Sequence, residues 1–428
     1  MKKKKLRQID VANAFLYAPV DAEIFVELPQ GSNGEPNHVC QLLKSLYGIK
    51  QAPRLWQQYL HARLIRIGFK QLPHDQGMYR LTKGTDYILL IVYLDDLLYI
   101  GSTDSVTTWF EGELEQDLTL TVSSTVTQYL GLNIREEDDA IYLSAAKYAD
   151  TIAKRFALTP TTIYTPYHYT TGNNKGGSAL LKPAGIRDYQ RKLGCLLFAA
   201  VTCRPDLSYS ASQLATYLKK PGAEHLAELD RALHYLVSTP TIGLTYHKNA
   251  TTTPKLIGYV DADHAGDSDN RRSRTGYIYR FEPIGPISWQ SSKQELIALS
   301  SAEAEYIALC SATKEGLYLR ELLEEAKLAQ LPSFTLFCDN QSAIRIANKN
   351  SFVNRTKHIA LRYFFVKDEI EKGRLELSCC PTSEMAADYL TKKLGKQKFE
   401  YCMLLTGQSH VTNSDTPEAK GSVGNNES

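Results

Sequence analysis

The chain has 428 residues, a formal net charge of +2, 43% hydrophobic residues and 22% charged residues. This length suffices for two or three domains with their own cores, and the globular composition excludes a largely disordered chain. The near-neutral charge excludes a uniformly basic nucleic-acid binder, so any phosphate binding has to come from local patches. No apolar run approaches the roughly 20 residues that cross a bilayer, which predicts an intracellular chain without membrane contacts.

Neither the cysteines nor the basic run near the start of the chain indicates a binding site. The eight cysteines are scattered without a CxxC or Cys/His ligand spacing, so we expect buried thiols and no zinc site. Lys2 to Lys5 with Arg7 form a basic run at the start of the chain. Such a run fits a solvated tail or a localisation signal better than a surface that lines a groove.

The N-terminal part alternates β-forming segments with one amphipathic helix. Asp10 is set among β-formers in RQIDVANAFLYA and is followed by Phe15, and the segment IFVELP predicts a strand. The segment KSLYGIKQAPRLW, Lys44 to Trp56, predicts a turn that leads into a helix. Its apolar spacing continues until Gly68, which predicts the end of the helix there.

The stretch from Asp86 to Gly101, DYILLIVYLDDLLYIG, predicts a β-hairpin with two carboxylates at its turn. Two apolar runs flank Asp95 and Asp96. Adjacent carboxylates repel each other, and a bound divalent cation is the usual reason for such a pair. A solvated surface turn is the alternative for an isolated pair of aspartates.

Helices and paired strands are predicted next. Asp104 to Asp117 has the spacing of an amphipathic helix, Gln128 to Leu143 predicts paired strands, and Ser144 begins another helix. Thr159 to Gly185 is rich in Thr, Pro, Gly and Asn and predicts a linker. Three basic residues of the helix after Ser144 either meet phosphates or lie on a solvated face: Lys147, Lys154 and Arg155.

The connecting region that follows predicts three helices and contains no catalytic set. Their ranges are Asp188 to Ala200, Asp206 to Lys219 and Ala223 to Ser238.

The last third has the pattern of a mixed sheet with acids at strand ends. LIGYVDADHAG, Leu256 to Gly266, predicts a strand that ends in acids, and two further strands precede a helix that begins at Ser300. The segment TLFCDNQSAI, Thr335 to Ile344, predicts a strand that is followed by Asp339 and then by a helix. A basic helix from Asn354 to Lys372, a strand and a helix that contains AADYLTK, Ala386 to Lys392, complete the order.

These segments resemble two domains of copia-type long-terminal-repeat retrotransposons. The Asp10 block, SLYGIKQAPRLW, YLDD and QYLGLNI resemble the palm of the reverse transcriptase, and the chain from Leu256 resembles the ribonuclease H domain. The implied fold is an α+β palm and thumb polymerase fragment followed by an α/β ribonuclease H-like domain with a mixed five-stranded sheet. The implied divisions are palm 1–140, thumb 141–158, linker 159–185, connection 186–250, ribonuclease H 251–395 and a largely disordered C-terminal tail 396–428.

The resemblance implies an RNA-directed DNA polymerase site at the hairpin. Asp10, Asp95 and Asp96 are expected to hold two Mg²⁺ ions, with Mn²⁺ as a second candidate, during in-line displacement on the triphosphate. Phe15 is expected beneath the sugar of the incoming nucleotide, where it excludes a 2′-hydroxyl; core packing is the alternative for this residue. Gly48 and Gln51 are expected to shape the turn that contacts the nucleotide.

A second metal site is implied by the ribonuclease H resemblance. Its acids and two-metal ligands are expected to be Asp261, Glu305, Asp339 and Asp388, cleaving the RNA strand of a hybrid. Glu303 fits a capping box at the helix start, and Glu305 lies roughly 200° around the helix from it, so we favour Glu305 as the ligand. Asp263 is either an outer ligand or a turn residue, and His358 more a helix-surface residue than a base.

The expected partners are an RNA template, a DNA primer, RNA/DNA hybrid and deoxynucleoside triphosphates. The implied location is intracellular, in a cytoplasmic virus-like particle, with the nucleus as a second place. Only nine residues precede Asp10, so we expect the fingers subdomain to be missing from this sequence. Two alternatives follow from that expectation: a chain with ribonuclease H activity only, and an inactive nucleic-acid-binding remnant.

Overall fold

The chain forms two compact units. The structure, a computed structural model, describes residues 5–29, 31, 38–168, 179–248, 252–267, 270–348 and 360–410. The first unit comprises Met1–Val126 with Glu321–Gln330, and the second comprises Thr127–Arg320 with Leu331–Ser428.

The described part of the first unit contains eight strands and two complete α-helices, with a short 3-10 helix at Ala14–Tyr17. In chain order these are β1 (Leu6–Val11), β2 (Phe25–Glu27), β3 (Val39–Gln41), α1 (Ala52–Ile67), β4 (Lys70–Gln71), β5 (Met78–Lys83), β6 (Asp86–Tyr93), β7 (Asp96–Gly101), α2 (Asp104–Glu115) and β8 (Leu120–Ser123).

A six-stranded antiparallel sheet forms the framework of the first unit, in the order β4-β5-β6-β7-β1-β8. Successive side chains of a strand point to opposite faces, so Ile88 and Leu90 are buried whereas Ile91 is exposed. Helices α1 and α2 pack Trp56 and Phe110 into the same core. The predicted hairpin and both predicted helices are therefore confirmed.

The second unit begins with a hairpin and ends with a short strand. Its elements in chain order are β9 (Gln128–Tyr129), β10 (Leu132–Glu136), β11 (Ala140–Ser144), α3 (Ala146–Phe156), α4 (Pro183–Thr202), α5 (Ser208–Ala215), α6 (Ala223–Ser238), β12 (Ile242–His247), β13 (Lys255–Asp263), β14 (Arg274–Glu282), β15 (Gly285–Lys293), α7 (Ser301–Glu325), β16 (Phe334–Cys338), α8 (Gln341–Asn348), α9 (Ala360–Glu371), β17 (Leu375–Cys379), α10 (Lys396–Leu405) and β18 (Gln408–His410).

One sheet of the second unit joins strands from distant parts of the chain, in the order β18-β12-β11-β10-β9. The strands are antiparallel, and β11 pairs with β12 from Ala140 opposite His247 to Ser144 opposite Gly243. The paired strands predicted over 128–143 are present. The strand that pairs with β11, β12, lies about a hundred residues later, and local sequence patterns do not reveal this pairing. The N-terminal segment of the first unit ends at Val126, before the domain boundary predicted at residue 140.

The other large sheet has the order β15-β14-β13-β16-β17 and mixes both pairing directions. β13, β16 and β17 run parallel, whereas β14 and β15 are antiparallel. This is the mixed five-stranded sheet that the sequence predicts. The fold class, an α+β part followed by a ribonuclease H-like α/β part, is confirmed.

The connecting helices and this mixed sheet share one hydrophobic core. Leu196 of α4 and Leu233 of α6 belong to the same buried cluster as Ile278 of β14. The domain boundary predicted at residue 250 therefore lies between segments that share a single hydrophobic core. Helix α4 begins at Pro183, within the segment predicted as a linker, and residues 169–178 of that segment lie outside the described residues.

The start of the predicted C-terminal tail is ordered. Helix α10 and strand β18 occupy part of the segment 396–428 that we expected to be largely disordered, so that prediction is wrong for residues 396–410. Three residues of α10 share one helix face and pack into the common core: Phe399, Cys402 and Met403. The polar composition that suggested disorder begins only at Thr406, after this helix. Residues 411–428 lie outside the described residues.

Three local predictions need correction. The helix expected over AADYLTK is a short 3-10 helix, Ala386–Leu390, whose five residues are all buried, so it lacks the solvent-facing stripe of an amphipathic helix. The helix expected over 206–219 is shorter, because a 3-10 turn, Pro205–Leu207, precedes α5. All eight cysteines are free thiols, but Cys40 is half-buried and Cys379 is exposed where buried thiols were predicted.

Candidate active sites

The hairpin β6–β7 carries its two aspartates at a strained turn. β6 ends at Tyr93 and β7 begins at Asp96, which leaves Leu94 and Asp95 as the turn. Leu94 has φ of 54°, in the left-handed region that residues other than glycine rarely adopt. The indole Nε1–H of Trp56 in α1 donates a hydrogen bond of 2.9 Å to the Leu94 carbonyl. The helix therefore holds the turn in its unusual conformation.

Asp10 lies beside this turn because of strand register. β1 pairs with β7 so that Asp10 is directly opposite Asp96, and the Val11 N–H donates to the Asp95 carbonyl at 3.2 Å. Partial desolvation and the nearby charges of Asp95 and Asp96 raise the pKa of Asp10. The structure thus brings together all three acids that the sequence predicts; we call Asp10, Asp95 and Asp96 the hairpin site.

The residues predicted to contact a nucleotide lie near the hairpin site, together with one that the sequence analysis missed. Phe15 is 8% exposed, and its ring centroid lies 4.4 Å from that of Tyr47. The Tyr47 hydroxyl donates to Asp95 Oδ2 at 3.4 Å. Gly48 has φ of 100°, and Gln51 lies at the start of α1. Tyr47 belongs to the segment SLYGIKQAPRLW, but nothing in that pattern distinguishes it from its neighbours.

The second acid cluster is assembled at one edge of the mixed sheet. Parallel register aligns Tyr259 with Phe337, so Asp261 and Asp339, each two residues further on, leave adjacent strands at the same level. Asp388 enters from the 3-10 helix Ala386–Leu390, and Glu305 enters from α7. We call Asp261, Glu305, Asp339 and Asp388 the quartet site.

Glu305 faces the other acids, whereas Glu303 serves the start of α7. The Glu303 carboxylate accepts a hydrogen bond from the Leu299 N–H at 2.5 Å. Ligand atoms of Glu305, Cys338 and Asp339 all lie within 4.8 Å of one another. The geometry therefore separates the two glutamates as their angular spacing on the helix predicts.

The Glu305 carboxyl group is buried among other acids. Its Oε2 has no hydrogen-bond partner among the described residues. Burial, together with the charges of Asp261 and Asp339, raises the pKa of Glu305 to about 9. A buried oxygen without a partner is costly, so a positively charged group next to Glu305 would be favourable.

Asp261 and Asp388 have positive and hydroxyl partners that the sequence analysis did not identify. Lys392 Nζ lies 3.0 Å from Asp261 Oδ1 and 2.7 Å from Asp388 Oδ1. The Thr391 hydroxyl donates to Asp261 Oδ2. An Asp and a Lys four residues apart are an ordinary ion-pair signal, so the spacing of Asp388 and Lys392 in AADYLTK could have revealed this contact.

Gly276 allows the segment that carries these partners to approach the sheet. It lies opposite Asp261 in the β13–β14 register. A Cβ at this position would lie 2.6 Å from Thr391 Cγ2 and 2.8 Å from Leu390 Cβ. Only glycine therefore leaves room for Thr391 to reach Asp261.

The donor chemistry of the quartet site fits a hard divalent cation. Carboxylate oxygens are the ligands that Mg²⁺ prefers, and one oxygen of the buried Glu305 carboxyl group has no hydrogen-bond partner among the described residues. Burial raises the pKa of the Cys338 thiol, which keeps it neutral and a poor ligand for such an ion. Within the described ranges, Glu305, Cys338 and Asp339 form the only group of three potential ligands this close together, so neither all four quartet acids nor the three hairpin acids are as compact.

Other predicted contacts have plain structural surroundings. Asp263 is half-buried at the end of β13, and burial raises its pKa. Lys147 Nζ lies 3.3 Å from Gln128 Oε1, and Arg155 lies over the Phe156 ring. Their contact with phosphates stays a prediction. Two other features, the run Lys2 to Lys4 and His358, lie outside the described residues.

Sequence comparisons give the relatives of this chain. The profile of the family described as reverse transcriptase (RNA-dependent DNA polymerase) matches residues 1–169. The retrovirus-related Pol polyprotein from transposon TNT 1-94 of Nicotiana tabacum is 34% identical over 419 residues, which is 94% of this chain and 31% of that protein. A transposon Ty5-1 protein of Saccharomyces cerevisiae is 34% identical over 309 residues, which is 70% of this chain and 97% of that protein. The chain thus spans about a third of the longer relative.

A solved structure shares the fold. The foamy viral protease-reverse transcriptase in complex with RNA/DNA hybrid matches with a TM-score of 0.51 and 14% identity, covering 98% of this chain and 47% of that chain. This likeness shows the fold alone. Over the residues that the structure describes, no helix combines the length and apolar character needed to span a bilayer, and the location predicted from the sequence stays a prediction.

Proposed function

We propose that this chain, which belongs to the family of copia-type long-terminal-repeat retrotransposon Pol proteins, is an RNA-directed DNA polymerase that also cleaves the RNA strand of RNA/DNA hybrids. One observation carries the proposal: the chain holds two separate acid clusters, each at strand ends of its own sheet. The hairpin site lies within the segment that matches the reverse transcriptase profile. The quartet site lies on a ribonuclease H-like sheet.

At the hairpin site the chain's own groups would bind and orient the reactants. Asp10, Asp95 and Asp96 would hold Mg²⁺, because three carboxylates gathered by strand register need positive charge. Phe15 and Tyr47 form an aromatic wall next to Asp95, against which the sugar of a deoxynucleotide would pack. Gly48 and Gln51 would shape the adjoining turn.

At the quartet site Asp261, Glu305, Asp339 and Asp388 would hold Mg²⁺ next to the scissile RNA phosphate. The support is the convergence of buried acids, one of which has an unpartnered oxygen. When bound at either site, such ions neutralise phosphate oxygens and lower the pKa of an attacking hydroxyl or water. The protein's part is to fix the acids on two rigid strands, a helix and a buried 3-10 turn.

The proposed partners are an RNA template, a DNA primer, deoxynucleoside triphosphates and RNA/DNA hybrid. Recognition of such duplexes rests mainly on the phosphate backbone and on A-like shape. Because the net charge is only +2, we expect local lysines and arginines to provide the contacts. Binding should therefore weaken steeply as salt concentration rises.

Parallel assays of primer extension and hybrid cleavage, with Mg²⁺ or with EDTA, test the proposal on the full chain. Asp95→Asn should abolish extension and leave cleavage intact, and Asp339→Asn should do the reverse. Two acids outside both sites supply matched controls, Glu115→Gln at an exposed position and Asp368→Asn at a half-buried one. Cleavage without extension in the unmutated chain would reduce the proposal to the nuclease, and absence of both activities would overturn it.

A further inference from the structure

Lys392 lies between two acids of the quartet site. Its Nζ is 2.7 Å from Asp388 Oδ1 and 3.0 Å from Asp261 Oδ1, so one ammonium group bridges both carboxylates. The side chain of Asp261 is 1% exposed and that of Asp388 is 5% exposed, whereas that of Lys392 is 37% exposed. The cation therefore reaches the buried acids from the solvent side.

We propose that Lys392 is an internal counter-ion of Asp261 and Asp388, and that a divalent cation binds these two acids by exchange with the Lys392 ammonium group. The lysine would hold the carboxylates in place before the metal arrives and would return when the metal leaves. This inference rests on the proposed metal-binding role of the quartet site. Its test does not depend on cleavage.

The division of the quartet site into two halves supports the exchange. Glu305 and Asp339 have ligand atoms within 4.8 Å of each other. Asp261 and Asp388 are instead bridged by Lys392. A metal ion and the ammonium group would thus compete for the same carboxylate oxygens, because two cations bound to the same pair of carboxylates repel each other.

The side-chain chemistry of lysine suits a counter-ion that has to leave. An ammonium group is a compact, strongly hydrated charge on a flexible four-carbon stem, unlike the rigid fork of arginine. The partial exposure of Lys392 gives it a route to solvent. Asp388 would retain a second ammonium group nearby, because Lys398 Nζ lies 3.4 Å from its Oδ2. Asp261 would retain the Thr391 hydroxyl.

Amine labelling of the unmutated full chain measures the exchange directly. Acetic anhydride modifies accessible amines, and mass spectrometry quantifies the modification of Lys392 at increasing Mg²⁺ concentration. We expect modification of Lys392 to rise severalfold and to saturate, while Lys372, which pairs with Asp368 outside the quartet site, serves as the internal control with little change. Constant or falling modification of Lys392 would overturn the inference.

Metal binding to variants gives the second measurement. Mn²⁺ binding is followed by the electron paramagnetic resonance of free Mn²⁺ in a chain that also carries Asp95→Asn and Asp96→Asn, which removes two of the three acids of the hairpin site. Lys392→Met should bind Mn²⁺ about tenfold more tightly, equivalent to about 1.4 kcal/mol. Lys372→Met is the matched control, because it removes an ammonium group that pairs with Asp368 outside the quartet site, and it should change the affinity less than threefold.

The outcomes separate this inference from the proposed function. Unchanged or weaker Mn²⁺ binding by folded Lys392→Met would make Lys392 a structural ion pair and would overturn the inference, whether or not the chain cleaves hybrids. Exchange without any cleavage would leave the counter-ion role standing and would count against the nuclease. Should Lys392→Met fail to fold, the labelling of the unmutated chain still decides.

Discussion

The two acid sites hold their carboxylates by different means. At the hairpin site, strand register and a strained turn bring together acids that are exposed or half-buried. At the quartet site, Asp261, Glu305 and Asp388 are buried and depend on Lys392, Thr391 and close packing at Gly276. The backbone thus defines the first site, whereas side-chain packing and charge define the second. Perturbations should therefore affect the two sites differently.

The largest effect is expected from Gly276→Ala. The new Cβ would meet Thr391 and Leu390 at 2.6 and 2.8 Å, so the segment that carries Asp388 has to move away from Asp261. Overpacking of this kind costs about 1–3 kcal/mol of stability. A displacement near 1 Å can lower activity about 100-fold. Urea unfolding and hybrid cleavage measure both effects, while primer extension should stay within twofold of the unmutated chain.

Gly194→Ala is the matched control for that substitution. Gly194 lies in α4, and no atom is within 4 Å of the position that a Cβ would take. Alanine in a helix is favoured over glycine by about 1 kcal/mol, so this variant should be slightly more stable. Full cleavage activity in Gly276→Ala would show that the approach of residues 390–391 is unimportant.

The next effect concerns the pH dependence of stability without metal. Glu305 has a pKa raised to about 9 in the folded chain, above its ordinary value of 4.5, because it is buried near Asp261 and Asp339. Between these values the unfolded chain loses the proton while the folded chain keeps it. The free energy of unfolding in EDTA should therefore fall as pH rises, by about 4 kcal/mol between pH 5 and 8.

Glu305→Gln removes the titrating group and keeps the shape of the side chain. Urea unfolding in EDTA at several pH values should give a flatter profile for this variant than for the unmutated chain. Divalent cations should restore stability at high pH only where Glu305 is present, because the ionised carboxylate then has a positive partner. Equal slopes for both proteins would mean that Glu305 is already ionised at neutral pH.

Trp56→Phe should affect the hairpin site alone. The substitution keeps most of the buried ring but removes the N–H that binds the Leu94 carbonyl at 2.9 Å. Leu94 is exposed, so losing this hydrogen bond costs about 0.5–1.5 kcal/mol, and the strained turn also loses its restraint. Primer extension should fall about tenfold, the rate equivalent of about 1.4 kcal/mol, with cleavage unchanged.

Trp109→Phe is the control with the same change of side chain. Trp109 lies in α2 with Lys83 over its ring, outside the hairpin site. Its substitution should leave extension within twofold. An equal loss of extension in both variants would attribute the effect of Trp56→Phe to general destabilisation of the first unit.

The contrast between the sites also explains what the sequence could predict. The pair Asp95 and Asp96 follows from a local pattern, because an acidic pair between two apolar runs predicts a hairpin, whereas the place of Asp10 beside this pair was implied only by the resemblance. The parallel alignment of Asp261 with Asp339 follows from their positions after predicted strands. The positions of these acids in the hairpin and after the strands could be predicted because local secondary structure alone determines them.

Tertiary packing accounts for what the sequence did not reveal. The role of Gly276 depends on an approach between strand β14 and a segment more than a hundred residues later. The pairing of β11 with β12 and the folding of α10 onto the common core are likewise long-range. Lys392 was within reach of local reasoning, because its spacing from Asp388 is that of a helical ion pair.

The smallest effect is expected from Tyr47→Phe, which tests how far the hairpin site depends on polar side-chain contacts. Its hydroxyl lies 3.4 Å from Asp95 Oδ2, a long and exposed hydrogen bond that contributes little, whereas its ring contacts Phe15. Tyr47→Phe should change the KM for deoxynucleotides less than about threefold, and Tyr47→Ala should raise it about tenfold through loss of the aromatic contact. Steady-state primer extension distinguishes these values. Equal losses in both variants would show that the hydroxyl, not the ring, positions the nucleotide, and the hairpin site would then share the quartet site's dependence on polar side-chain contacts.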